Sequence, residues 1–143
     1  MTAASNLTFV DTNILVYAYD RGEGAKHEKV IDILDDLWES GTGALSTQVL
    51  AEFYAVVTRR KMMSKESARE RVASYSEWCT VTTNPELLIT ASLLQDNHNV
   101  SWWDALIIDA ARRSGADTLL SEDMHHGQRF GSVTVRNPFV EGN

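Results

Sequence analysis

Cys79 is the only cysteine in the chain, which excludes an internal disulfide and a thiolate metal cage and suits a reducing compartment. The ordinary use of such a residue is as a small buried hydrophobe. Long hydrophobic runs are also missing. No basic segment precedes the first apolar run, and Asp11 and Asn13 interrupt it well short of a bilayer span or a signal-peptide core. The expectation is a soluble, cytoplasmic protein with no membrane association. Positive charge is scarce as well: 13 Lys and Arg stand against 20 Asp and Glu, a formal net charge of −7. That balance ordinarily counts against a nucleic-acid partner, because phosphate binding draws on clustered Lys and Arg. The objection fails if several acids converge on one metal site and leave the remaining surface to form a local basic patch. The sequence has no internal repeat and no low-complexity segment.

What remains is 143 residues, 43% of them hydrophobic, enough for one compact domain over residues 1–143. Short apolar runs alternate with longer amphipathic stretches, the pattern of an α/β domain. Leu7 to Val10 reads as a buried strand and Ala25 to Glu39 as a helix, with Val30, Ile31, Leu34, Leu37 and Trp38 on one face. A short strand over Ala44 to Ser46 precedes a helix carrying Val49, Leu50, Phe53, Val56 and Val57, and a helix capped by Ser64 ends near Trp78. Val81 closes a third strand, and Asn84-Pro85 opens a helix with a cap residue and a proline in first position. Ser101 caps the next helix, which runs to Gly115; Asp117 to Ser121 reads as a fourth strand and Ser132 to Val135 as a weak edge strand. Right-handed crossovers then give a mostly parallel sheet of about five strands with helices on both faces.

Ligands of such sheets bind at the carboxyl ends of the strands. Four acids fall there. Asp11 ends the first strand, Asp123 follows the fourth, Glu52 lies in the second turn of the helix leaving the second strand, and Asp104 lies in the first turn of the Ser101-capped helix. Each also has a plainer reading. Asp104, three residues after Ser101, completes a capping box and favours the positive end of the helix dipole. Glu52 sits at the margin of an apolar stripe, from which a side chain reaches solvent, and Asp123 can be a loop acid. Asp11 is the hardest to explain plainly, because an unpaired buried carboxylate is expensive, although a structural hydrogen bond to the next helix would relieve it.

Taken in order, the strand ending in Asp11-Thr12-Asn13, the helical Glu52, the Asp104-Ala-Leu-Ile-Ile helix start and Ser121-Glu122-Asp123 resemble the PIN-domain ribonucleases, and within them the VapC toxins of toxin–antitoxin modules. The resemblance runs from Asp11 to about Gly127. It implies a PIN-like fold and a Mg²⁺- or Mn²⁺-dependent endoribonuclease whose acidic metal-binding positions are Asp11, Glu52, Asp104 and Asp123. Asn13 and Ser121 match neighbouring polar positions that orient acids or water. Glu122, beside Asp123, competes for the fourth position. The same resemblance implies an RNA substrate cleaved to leave a 5′-phosphate, a homodimer, and a small antitoxin protein that blocks the acidic crevice. The chemistry suits the donors: Mg²⁺ takes hard oxygen ligands and keeps several waters, so a few carboxylates suffice.

Arg59, Arg60 and Lys61, with Arg112 beside Arg113, are the best candidates to meet RNA phosphates, although the last turn of a helix favours cations in any case. Trp102 and Trp103 suit base stacking or packing. His125-His126, Asp35-Asp36 and Asp117 read as solvated or misplaced for the crevice. A haloacid-dehalogenase-like phosphatase would need an acid where Asn13 stands, and a response-regulator receiver would need paired acids near the first strand. The remaining alternative is a non-catalytic PIN-fold module that binds RNA or protein.

Overall fold

The computed structural model describes residues 6–140. The first strand, β1 (Thr8–Val10), buries Phe9 and Val10 completely. It does not run on through the apolar residues that follow. Asp11 adopts an extended backbone and caps a short helix, α1 (Thr12–Tyr17), its carboxylate accepting from the Thr12 amide at 2.7 Å. Ile14, Leu15 and Val16 thus enter the core from a helix.

A 3₁₀ turn over Arg21–Glu23 leads to α2 (Ala25–Ser40), whose buried residues are Val30, Leu34 and Leu37. Trp38 stays 36% exposed, packed on Trp78 with ring centroids 4.3 Å apart. Gly41 ends α2 in the left-handed region at φ 69°, where a glycine carries no steric penalty. β2 (Gly43–Ser46) follows, then α3 (Thr47–Arg59), capped by the Ser46 hydroxyl. Next come α4 (Lys65–Tyr75), a 3₁₀ turn over Ser76–Trp78, and β3 (Cys79–Val81). Cys79 is only half-buried rather than part of the core. Asn84 caps α5 (Pro85–Asn97) by accepting from the Leu87 amide, and Ser101 caps α6 (Trp102–Ser114) by accepting from the Asp104 amide. β4 (Thr118–Leu120), β5 (Arg129–Phe130) and β6 (Val133–Arg136) follow.

The sheet has six strands in the order β3-β2-β1-β4-β6-β5, one more than the sequence suggested. β6 is not an edge strand: the two-residue β5 pairs with it antiparallel and covers it. All other pairings are parallel. From β1 the chain moves outward to β2 and β3, then returns to lay β4 against the other side of β1. With right-handed crossovers, that reversal puts α2 on one face and α6 on the other. It also makes the gap beyond the carboxyl ends of β1 and β4 the topological switch point, where sheets of this kind open a crevice. Near the far side of the sheet the packing leaves no slack. A Cβ built on Gly43 would stand 2.5 Å from carbons of the Trp78 indole. Among the described residues, no helix is long and apolar enough to cross a membrane.

Candidate active site

Asp11 follows β1 and Ser121 follows β4, so the two side chains meet at the switch point. The Ser121 hydroxyl donates to Asp11 Oδ2 at 2.8 Å while the Thr12 amide donates to Asp11 Oδ1, which occupies both carboxylate oxygens. Asp11 is 7% exposed and Ser121 fully buried. Burial is the largest influence on Asp11 and raises its pKa from 3.8 to about 6; the two hydrogen bonds oppose that rise, and the charges of Glu52 and Asp123 add to it.

The remaining acids arrive from three other elements. Glu52, in the second turn of α3, accepts at Oε1 from the Thr12 hydroxyl at 3.1 Å. Asp104, in the first turn of α6, has its pKa raised by partial burial and by the charge of Asp123, against the pull of Ser101. Asp123 is fixed by Asn13, whose Nδ2 donates to Asp123 Oδ2 at 2.9 Å while its Oδ1 accepts from the Glu122 amide at 3.3 Å. The Asp123 amide in turn donates to the Ser121 hydroxyl. Asn13 and Ser121 therefore stitch the loop after β4 to the start of α1. All four acids line one cleft of about 410 Å³. Glu122 does not line it: its carboxylate is taken by the Tyr17 hydroxyl and the Lys26 ammonium. Of the two adjacent acids, Asp123 is the one the fold brings to the others.

Asp20 and Glu23 also reach the cleft wall, so among the described residues six carboxylates face it against one cation, Arg60. Arg60 is itself held by Asp20 at 2.8 Å. Arg59 and Lys61 are exposed, and neither lines the cleft. Arg112 lies near the other end of α6 from Asp104, about 12 Å along the axis. It borders a separate cavity with Gly131. Arg113 is engaged by the buried Asp109, with Nε 3.0 Å from Oδ2. Trp102 packs against the core, whereas Trp103 is 63% exposed on the cleft wall beside Asp104. His126 serves the backbone, accepting from the Asn137 amide at 3.0 Å. Thr12 and Gln48 are cleft residues that the sequence did not single out. Gln48 stands one helical turn before Glu52 and donates to the same Glu52 oxygen at 3.4 Å. Its spacing from Glu52 was the available signal.

The donor set is entirely oxygen and amide, which matches Mg²⁺ or Mn²⁺ and disfavours softer metals. Among the described residues, no three acid, histidine or cysteine side chains stand close enough to enclose an ion directly.

The family model described as PIN domain matches residues 8–128. No curated protein matches the chain. Among solved structures, the chain is similar to VapC20 of Mycobacterium tuberculosis, a toxin that cleaves the sarcin–ricin loop, at 23% identity and TM-score 0.58, covering 78% of this chain and 86% of that one. A toxin–antitoxin complex from Klebsiella pneumoniae superposes with TM-score 0.66 at 16% identity, over 92% of this chain and 98% of the other. VapBC2 of Rickettsia felis, bound to a DNA fragment from its promoter, superposes with TM-score 0.61 at 22% identity, again over 92% and 98%.

Proposed function

Because the chain belongs to the PIN-domain family, we propose that it is a divalent-metal-dependent endoribonuclease acting as the toxin of a toxin–antitoxin pair. The observation that carries this reading is the cleft at the switch point, where six carboxylates face one cation among the described residues and the most buried of them has a pKa raised to about 6. Such an arrangement stores repulsion that a bound cation relieves, and a fold without need of one has no reason to keep it.

Asp11, Glu52, Asp104 and Asp123 would hold Mg²⁺ or Mn²⁺, directly or through water. What such an ion supplies when bound is neutralisation of charge on the scissile phosphodiester and a lowered pKa for the attacking water. The chain's own residues do the rest. Thr12 and Ser121 fix both oxygens of Asp11, so it presents its remaining lone pairs in one orientation. Asn13 does the same for Asp123. Arg60 is the cation within reach of an RNA phosphate, once released by Asp20, and the exposed face of Trp103 offers a surface on which an unpaired base can stack.

Two of the similar structures are toxin–antitoxin assemblies, which supports an antitoxin as partner here. An arginine or lysine from such a partner, entering the acidic cleft, would take over the electrostatic role of the metal without its Lewis acidity. The α5 helix exposes Leu88, Ile89 and Leu93, an apolar stripe suited to a second copy and so to a homodimer. The deciding experiment is cleavage of RNA by purified protein in Mn²⁺, in EDTA and with Asp11→Asn. Cleavage that survives EDTA or the substitution refutes the metal-dependent reading. RNA binding without cleavage in any condition leaves a non-catalytic RNA-binding PIN module.

A further inference from the structure

Two buried side-chain polar atoms among the described residues have no hydrogen-bond partner: Thr83 Oγ1 and Gln48 Oε1. Only Gln48 lies in the cleft. An orphaned buried carbonyl is costly, and a glutamine amide can exchange its oxygen and nitrogen by a half-turn. The half-turn is closed to Gln48. It would turn the amide oxygen toward Glu52 Oε1, setting two acceptors against each other where Nε2 now donates at 3.4 Å. The orientation that leaves Oε1 unsatisfied is therefore the one that serves Glu52.

The Thr12 hydroxyl donates to that same Glu52 oxygen at 3.1 Å. Oε1 is thus pinned from two sides, by α1 and by the preceding turn of α3, and Oε2 has no hydrogen-bond partner among the described residues. We propose that Gln48 is a positioning residue that, with Thr12, clamps one oxygen of Glu52 and leaves the other to face the cleft. The inference rests on the nuclease reading for its purpose, but the clamp itself stands on the two hydrogen bonds to Oε1.

A carboxylate held this way enters a metal site with its rotamer already fixed, so fewer degrees of freedom are lost on binding. Gln48→Leu keeps most of the volume and removes both the donor and the orphaned carbonyl. If the clamp exists to position Glu52, this variant melts no lower than the parent in EDTA, binds Mn²⁺ about 10-fold more weakly or worse in calorimetry, and cleaves RNA with a reduced kcat and little change in KM. Thr12→Val does the same to the other donor, and Thr12→Ser restores it. A merely structural Gln48 predicts the reverse: a lower melting point in EDTA with unchanged affinity for Mn²⁺.

NMR of the metal-free protein separates failure of the clamp from failure of the nuclease reading. The Gln48 side-chain amide protons of the parent should shift on replacement Glu52→Gln, which weakens the acceptor. Shifts that stay in place overturn the clamp whatever the protein does to RNA. If the amide protons respond but neither Mn²⁺ binding nor cleavage is found in the parent, the clamp stands and the nuclease reading falls. Parent-level Mn²⁺ affinity in both Gln48→Leu and Thr12→Val overturns the positioning role.

Discussion

Replacing Asp11 by asparagine tests the site through stability, without any substrate. In the folded protein burial raises the Asp11 pKa to about 6, against the ordinary 3.8. A raised acid contributes its stability below the unfolded value, where it is protonated in both states, and loses that contribution as pH rises through the folded value. At about 1.4 kcal/mol for each pH unit, the whole interval is worth about 3 kcal/mol, of which about 2.5 kcal/mol is lost between pH 4 and pH 8. The asparagine side chain cannot ionise, so the variant escapes this penalty. It can keep both hydrogen bonds, with Oδ1 accepting from the Thr12 amide and Nδ2 donating to the Ser121 hydroxyl, which accepts as readily as it donates. The opposite amide orientation would set Nδ2 against the Thr12 amide at a cost of about 1–3 kcal/mol at every pH. The diagnostic is therefore the change with pH: in EDTA, Asp11→Asn should gain about 2.5 kcal/mol on the parent between pH 4 and pH 8, about 5–10 °C in melting temperature for a domain of this size. Calorimetric melts across that range measure it. Excess Mn²⁺ at a hundredfold above its Kd should then raise the parent by about 2.7 kcal/mol and leave the variant unmoved. A constant gap between the two proteins from pH 4 to pH 8 would refute the argument from buried charge, and equal responses to Mn²⁺ would refute Asp11 as a ligand.

Glu122→Gln should leave the Mn²⁺-induced rise in melting temperature intact, whereas Asp123→Asn should reduce it; the opposite outcome would make Glu122 the fourth acid. RNA affinity, measured by fluorescence anisotropy in the absence of turnover, should fall with salt, and Arg60→Ala should flatten that dependence by about one counterion in the logarithmic slope. An unchanged slope would remove Arg60 from the RNA path. Gly43→Ala should destabilise the fold by about 1–3 kcal/mol in denaturant titration, since its methyl group meets the Trp78 ring at 2.5 Å.

The helices with strong caps and the strands between them were legible because each is announced locally: Ser64, Asn84 and Ser101 cap where expected, and Gly115 ends α6 in the left-handed region at φ 81°. The α1 helix was not. Asp11-Thr12-Asn13 is a helix-cap pattern, but Ile14, Leu15 and Val16 are equally at home in a strand, and only the tertiary pairing of β1 with β2 and β4 forces the chain to turn at Asp11. β5 is two residues long and exists only because Phe130 and Val133 pair across the turn at Gly131. Asp11, Glu52, Asp104 and Asp123 could be assembled from strand and helix ends, since the crevice of a parallel sheet lies at a fixed end. The clamp on Glu52 and the diversion of Glu122 to Lys26 and Tyr17 were invisible, because each depends on side chains brought together across the fold.

The distance along the chain between the halves of this site has a consequence for how the protein is made. In sequence, 110 residues separate Asp11 from Ser121, and the two meet only when β4 is laid against β1. A chain still emerging during synthesis can pair β1 with β2 early, yet its site lacks Ser121 and Asp123 until β4 and the loop after it have followed. A product cut short before β4 would keep three of the four acids and lack both Asp123 and the Ser121 hydroxyl that holds Asp11. For an RNA-cleaving protein, the nearest RNA at birth is its own message. If the chain cleaves RNA as proposed, the strand order β2-β1-β4 leaves the completion of its site, through Ser121 and Asp123, to the last part of the domain to be translated.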